Sequence, residues 1–165
     1  MAELILVALG ANLPDAAGRP AVETCRWAVA ELARLPGLRL DAISRWYRTA
    51  PVPASDQPDY INGVARLSGA ADPAGLLAQL HALEAQAGRV RASVNGARPL
   101  DLDLLAMDGL VRAGPGLILP HPRLHERTFV LRPLCDVAPA WRHPVSGRSA
   151  RALLRDADGS GVRPL

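Results

Sequence analysis

Apolar and polar positions along the chain alternate between short runs with strand character and longer stretches with helical spacing. Residues 4–10, LILVALG, are an apolar run closed by Gly10, which predicts a buried strand entering the turn GANLPD. Over 18–35, Val22, Trp27, Ala28, Val29, Leu32 and Leu35 recur near helical spacing until Pro36-Gly37 ends them. Residues 38–49 read as one strand of imperfect alternation, and 60–69 as a second strand pairing with it. Between them, 50–59 carries three prolines and is read as a loop. The clearest helix is 72–87: Asp72 suits the N-cap, Pro73 the first turn, and Leu76, Leu77, Leu80 and Leu83 make the apolar stripe. Residues 88–98 show no period. A strand follows in which Leu100, Leu102 and Leu104 alternate with Asp101 and Asp103, ending in a turn at Asp108-Gly109. Residues 115–129 are read as a proline-containing loop, the stretch from Thr128 as a helix broken near Pro133, and 149–156 as a short amphipathic helix.

The order β-α-β-β-α-β predicts an α+β fold: a ferredoxin-like antiparallel sheet with helices packed on it and extra helices at the C-terminal end. At 165 residues, 1–165 fits a single domain. No apolar run approaches the roughly 20 residues that span a bilayer, and the N-terminus lacks the basic start of a secretion signal. Cys25 and Cys135 stand far apart, which suits reduced thiols in a cytoplasmic protein.

Charge narrows the chemistry. There is no lysine, so all 19 Lys+Arg residues are arginine. That excludes a lysine Schiff base and a P-loop lysine, and it leaves phosphate recognition to arginine forks, backbone amides or metal. A net charge of +3 is compatible with an anionic ligand but does not argue for nucleic acid.

Asp101 and Asp103 would share one face of their strand, their Cα atoms roughly 6.5–7 Å apart. Two readings stand: a solvated strand face, or a carboxylate pair holding divalent metal against phosphate. Arg89, Arg91 and Arg98 upstream and Arg123 and Arg127 downstream favour the second, because a polyphosphate needs converging cations. Tyr60 and Asn62, two apart on one strand, pair an aromatic face with an amide that can read the edge of a heterocycle. Such a set would also serve a metal-dependent nucleotidyl- or glycosyltransferase, and the arginines alone would serve an RNA-binding sheet. The 4% aromatic content leaves the RNA reading few stacking platforms.

Three stretches in this order, YRTAPVPASDQPDYINGVARL (47–67), ARPLDLDLL (97–105) and LPHPRLHERTFVLRPL (119–134), resemble the 6-hydroxymethyl-7,8-dihydropterin pyrophosphokinase family. LGANL (9–13) and LEAQAGRVR (83–91) extend the resemblance over almost the whole chain. It implies a folate-pathway enzyme that moves the pyrophosphoryl group of ATP to the hydroxymethyl oxygen of the reduced pterin and releases AMP. By position, Asp101 and Asp103 would hold two Mg²⁺ ions and, with Arg89 and Arg98, form the catalytic set. Glu84, Arg89, Arg91, Arg98, His121 and Arg127 would meet ATP. Tyr60 and Phe129 would sandwich the pterin, Asn62 would read its edge, and the backbone at Thr49 and Val52 would touch it. The implied partners are these small molecules, with no nucleic acid, no membrane and a monomeric chain. The sequence departs from the family at Asn95-Gly96-Ala97-Arg98, where a Trp-Gly-Pro-Arg pattern is usual, and at Ala92, where some members have lysine.

Overall fold

The N-terminal apolar run forms β1, Ala2–Ala11, which is hydrogen-bonded along both edges and is the centre of the fold. The computed structural model describes residues 1–51, 54–88, 99–157 and 161–165. After β1 come α1 (Ala21–Ala33), β2 (Leu38–Ile43), β3 (Tyr47–Thr49), β4 (Tyr60–Gly69), α2 (Pro73–Gln86) and β5 (Asp101–Met107). A small hairpin, β6 (Arg112–Gly114) and β7 (Leu117–Leu119), leads through a 3-10 turn at Leu124–Glu126 to α3 (Thr128–Val137), α4 (Ala150–Asp156) and β8 (Arg163–Pro164). The main sheet runs β5-β1-β4-β3-β8, with β2 also on β4, and every pairing is antiparallel. This is the ferredoxin-like order expected from the sequence.

Alternation along the strands supplies two cores. Ile5, Val7 and Leu9 of β1, Ala65 and Leu67 of β4, and Leu102 and Leu104 of β5 pack under α1 and α2. Leu6, Val64, Leu105 and Ala106 pack on the other face, under α3 and α4. The two C-terminal helices therefore cover the face that α1 and α2 leave open. A bulge lets β5 serve both cores: Val7 pairs with Leu104 but Leu6 with Ala106, so Leu105 and Ala106 both reach the α3 side. Among the described residues no helix is long and apolar enough to cross a membrane, and Cys25 and Cys135 are free thiols.

Helix α2 has the cap its sequence promises, Asp72 accepting from the Gly75 amide at 2.9 Å. Four features differ from the sequence reading. The strand expected over 38–49 is split, because Ser44 turns its hydroxyl to the Val64 amide and Trp46 lies across Gly63. A Cβ on Gly63 would stand 2.5 Å from that ring, so only glycine fits there. The loop expected over 115–129 contains β7, which pairs with β6 across a turn at Gly116, φ +80°. Helix α3 runs through Pro133 to Val137 instead of breaking. Burial of Val130, Leu131, Leu134 and Val137 outweighs the missing amide. Finally β8, which the sequence does not signal, closes the β3 edge.

Helix α3 is also pinned by polar contacts. Tyr47 donates to Asp136 at 2.7 Å, and Arg66 donates to the Val137 carbonyl at 2.6 Å. Burial, with Asp136 beside it, pushes the Tyr47 phenol up to about 12. Tyr47→Phe is expected to cost about 2 kcal/mol in urea unfolding at neutral pH, as befits a hydrogen bond to a carboxylate. Because the folded phenol holds its proton more tightly than the unfolded one, that linkage favours folding below about pH 10. It is lost as pH rises toward about 12, which an absorbance titration of the phenol would follow.

Candidate active site

Register places the candidate residues. On β1, Gly10 lies opposite Asn62 of β4 on one side and Asp101 of β5 on the other, while Ala8 lies opposite Val64 and Asp103. Directly opposed residues share a face, so both aspartates and Asn62 stand on the α3 side. Between them β1 offers only Ala8 and Gly10. Three neighbouring strands span about 9.5 Å, and a central strand with almost no side chain makes that span a trough. The floor has little room to spare: a Cβ on Gly10 would lie 3.2 Å from Asn62 Oδ1.

The carboxylate wall exists because Leu100, Leu102 and Leu104 are buried on the opposite face, which turns Asp101 and Asp103 outward, both half-buried. Among the described residues no group of three or more His, Cys, Asp and Glu side chains could hold a metal ion. A cation here would take two carboxylates and draw its other oxygens from solvent or substrate. That donor set fits Mg²⁺.

The opposite wall is Tyr60 and Asn62. Asn62 is 7% exposed, and its Nδ2 donates to Thr49 Oγ1 at 3.0 Å, which holds the amide on its rotamer. Thr49 pairs with Tyr60 across the β3–β4 ladder. Phe129, in the first turn of α3, packs as Ala8 does against the cluster under α3 and α4. The Arg127 guanidinium stands 5.6 Å from the centre of its ring.

His121 enters from beyond β7, its amide bonded to the Leu105 carbonyl at 2.8 Å. The Arg123 amide donates to its Nδ1 at 3.2 Å, so a neutral ring carries its proton on Nε2, 4.0 Å from Asp103. Burial, with Arg127 nearby, holds its pKa below the ordinary histidine value, and Asp101 opposes the shift. Glu84 is 2% exposed on α2, and its Oε2 accepts from the Leu102 amide at 2.8 Å. Helix α2 thus satisfies an outward amide of the edge strand β5, between the two aspartates.

The structure therefore gathers Asp101, Asp103, Asn62, Tyr60 and Thr49 on one sheet face, with His121 against Asp103 and Phe129 on the adjoining cluster. Glu84 lies behind β5. Val52, Arg89, Arg91 and Arg98 lie outside the described residues. The sequence does not single out Gly10 and Ala8 as the floor: two small residues at alternate positions of an apolar strand are a signal only once that strand is known to be central.

A family model for 7,8-dihydro-6-hydroxymethylpterin-pyrophosphokinase matches residues 6–139. The chain is 37% identical over 160 residues to the 2-amino-4-hydroxy-6-hydroxymethyldihydropteridine pyrophosphokinase of Synechocystis sp., covering 97% of this chain and 79% of that protein. It is 39% identical over 165 residues to the protein of the same name from Pseudomonas aeruginosa, covering 100% of this chain and 98% of the relative. Among solved structures, wild-type HPPK-DHPS of Plasmodium falciparum superposes with a TM-score of 0.67 at 13% identity. The match covers 94% of this chain and 44% of that longer one, and at this identity it speaks for the fold alone.

The burial of Glu84 leads to a stability test. Glu84→Leu strands the Leu102 amide and is expected to cost about 1–3 kcal/mol in urea unfolding, with Glu84→Gln, which keeps an acceptor, costing less.

Proposed function

The chain belongs to the 7,8-dihydro-6-hydroxymethylpterin-pyrophosphokinase family, and we propose that the trough over β1 is where its reaction takes place. The reaction transfers the pyrophosphoryl group of ATP to the hydroxymethyl oxygen of 6-hydroxymethyl-7,8-dihydropterin and releases AMP, a step of folate biosynthesis. One observation carries the assignment to the trough: a carboxylate pair and an aromatic–amide pair stand on one sheet face with glycine and alanine between them.

In this reading the pterin ring stacks between Tyr60 and Phe129, and the Asn62 amide, held by Thr49, meets its hydrogen-bonding edge. The backbone at Thr49 and Val52 borders the same ring. ATP lies toward β5, its phosphates met by Arg89, Arg91, Arg98, His121 and Arg127. Asp101 and Asp103 would hold two Mg²⁺ ions, which when bound supply positive charge against the triphosphate. His121 Nε2, carrying the proton of a neutral ring, donates to a phosphate oxygen without adding a charge that would compete with the arginines. Glu84 is likewise proposed to meet ATP, and its carboxylate also accepts from the Leu102 amide, between the two aspartates.

The step itself is a displacement at the β-phosphorus. The hydroxymethyl oxygen forms the new P–O bond, the bond to the α-phosphate bridge breaks, and the hydroxyl proton leaves to solvent. No side chain need act as base, since the chain's contribution is alignment and charge neutralisation. We also read the protein as a cytoplasmic monomer, acting on small molecules without nucleic-acid or membrane partners.

The decisive measurement is pterin-dependent AMP formation with MgATP. Asp101→Ala and Asp103→Ala, each folded, are expected to lose about 10³-fold or more in turnover, given the several kcal/mol that metal contributes to phosphoryl transfer. Chelation should abolish the wild-type rate and Mg²⁺ restore it. Full activity in folded Asp101→Ala would remove the carboxylates from the reaction.

A further inference from the structure

Asn12 follows Gly10 by two residues, where β1 ends and the turn toward α1 begins. It is 3% exposed. Its Nδ2 donates to Gln57 Oε1 at 2.9 Å and lies 3.5 Å from the Pro58 carbonyl oxygen. Its Oδ1 is buried and has no hydrogen-bond partner among the described residues. One neutral hydrogen bond contributes no more than the burial of an unpaired carbonyl oxygen costs, so stability does not explain this residue.

Position does. Gln57 and Pro58 lead through Asp59 into Tyr60 and Asn62, the wall assigned above to the pterin. The other end of the contact is firmly founded. Asp15, its side chain fully buried, accepts from the Ala17 and Arg19 amides and pairs with the Arg19 guanidinium at 2.5 Å. The Ala16 amide bonds to the Ala87 carbonyl at the end of α2.

We propose that Asn12 is a positioning residue for the pterin: its amide ties residues 57–58 to the end of β1 and thereby sets Tyr60 and Asn62 against the Gly10 floor. The unpaired Oδ1 is the consequence of turning Nδ2 toward Gln57. A leucine of similar size would remove the orphan and the tie together, so fold and function should respond in opposite directions.

The inference rests on reading Tyr60 and Asn62 as the pterin side, and its test separates the two. Asn12→Leu, Gln57→Leu, the double variant and Asn62→Ala are assayed for KM of each substrate at saturating levels of the other, alongside thermal melts. Either leucine variant should raise KM for the pterin about tenfold, the effect of one lost hydrogen bond, and leave KM for ATP within about twofold. The double variant should be no worse than the singles, since both remove one contact. Asn12→Leu should melt no lower than wild type, and Gln57→Leu, altered in a surface segment, carries the kinetic test if Asn12→Leu does not fold. Unchanged pterin KM in the leucine variants, with Asn62→Ala impaired, overturns this inference alone. Equal rises in both KM values with a lowered melting temperature make Asn12 merely structural and overturn it too. Unchanged pterin KM in Asn62→Ala overturns the underlying reading of the pterin wall.

Discussion

The register of β1 between its two neighbours is the constraint on which the rest depends. Gly10 must face Asn62 and Asp101 at once, and a slip of one residue on either edge would turn one wall of the trough to the opposite face. What prevents the slip is apolar burial on the side away from the site. Val7, Leu9, Leu102 and Leu104 are each under 5% exposed beneath α1 and α2. Burying each such side chain is worth about 1.5–3 kcal/mol, and a shifted register would forfeit several together. The polar residues are thus aligned by leucines and valines they never touch.

The same strands meet opposite demands along their length. At one end the α3-side face carries the trough proposed for the two substrates; at the other it is sealed under α3 and α4. β1 manages this with Gly10 and Ala8 at the open end and Leu6 under the helices. β5 manages it with Asp101 and Asp103 followed by the bulge that turns Leu105 and Ala106 to the core. The bulge lies two residues past Asp103, where the strand's role changes.

How much of this was legible depended on whether a feature is local. Strand β1, helix α2 with its Asp72 cap, and the alternation in β5 all follow from neighbours in sequence. The break at Ser44–Trp46 does not, because it needs Trp46 to meet Gly63 on another strand. Nor does the continuity of α3 through Pro133, which depends on the sheet beneath it and on Tyr47 and Arg66. Among candidate site residues, the shared face of Asp101 and Asp103 was readable from period two. Their alignment with Asn62 required a register that no single strand encodes. Glu84 was legible as a site residue only through family resemblance, and its contact with β5 is a tertiary fact.

The two walls of the trough are therefore held by different physics. Strand period and the leucines behind them place the aspartates, so any helix packing under β5 with enough apolar surface would keep them there. The wall proposed for the pterin has its amide on β4, its steadying hydroxyl on β3 and its second ring on α3. Three elements must be kept in register with one another, and apolar contact alone is tolerant of small shifts of a helix over a sheet. Directional bonds are not. Tyr47 to Asp136 and Arg66 to the Val137 carbonyl fix the far end of the helix whose first turn carries Phe129. Both donors stand on strands β3 and β4, which carry Thr49, Tyr60 and Asn62. On the proposed reading, polar contacts well removed from the trough thus bear on where Phe129 stands over the sheet that carries Tyr60, and the C-terminal helices contribute to the proposed site as the strands do.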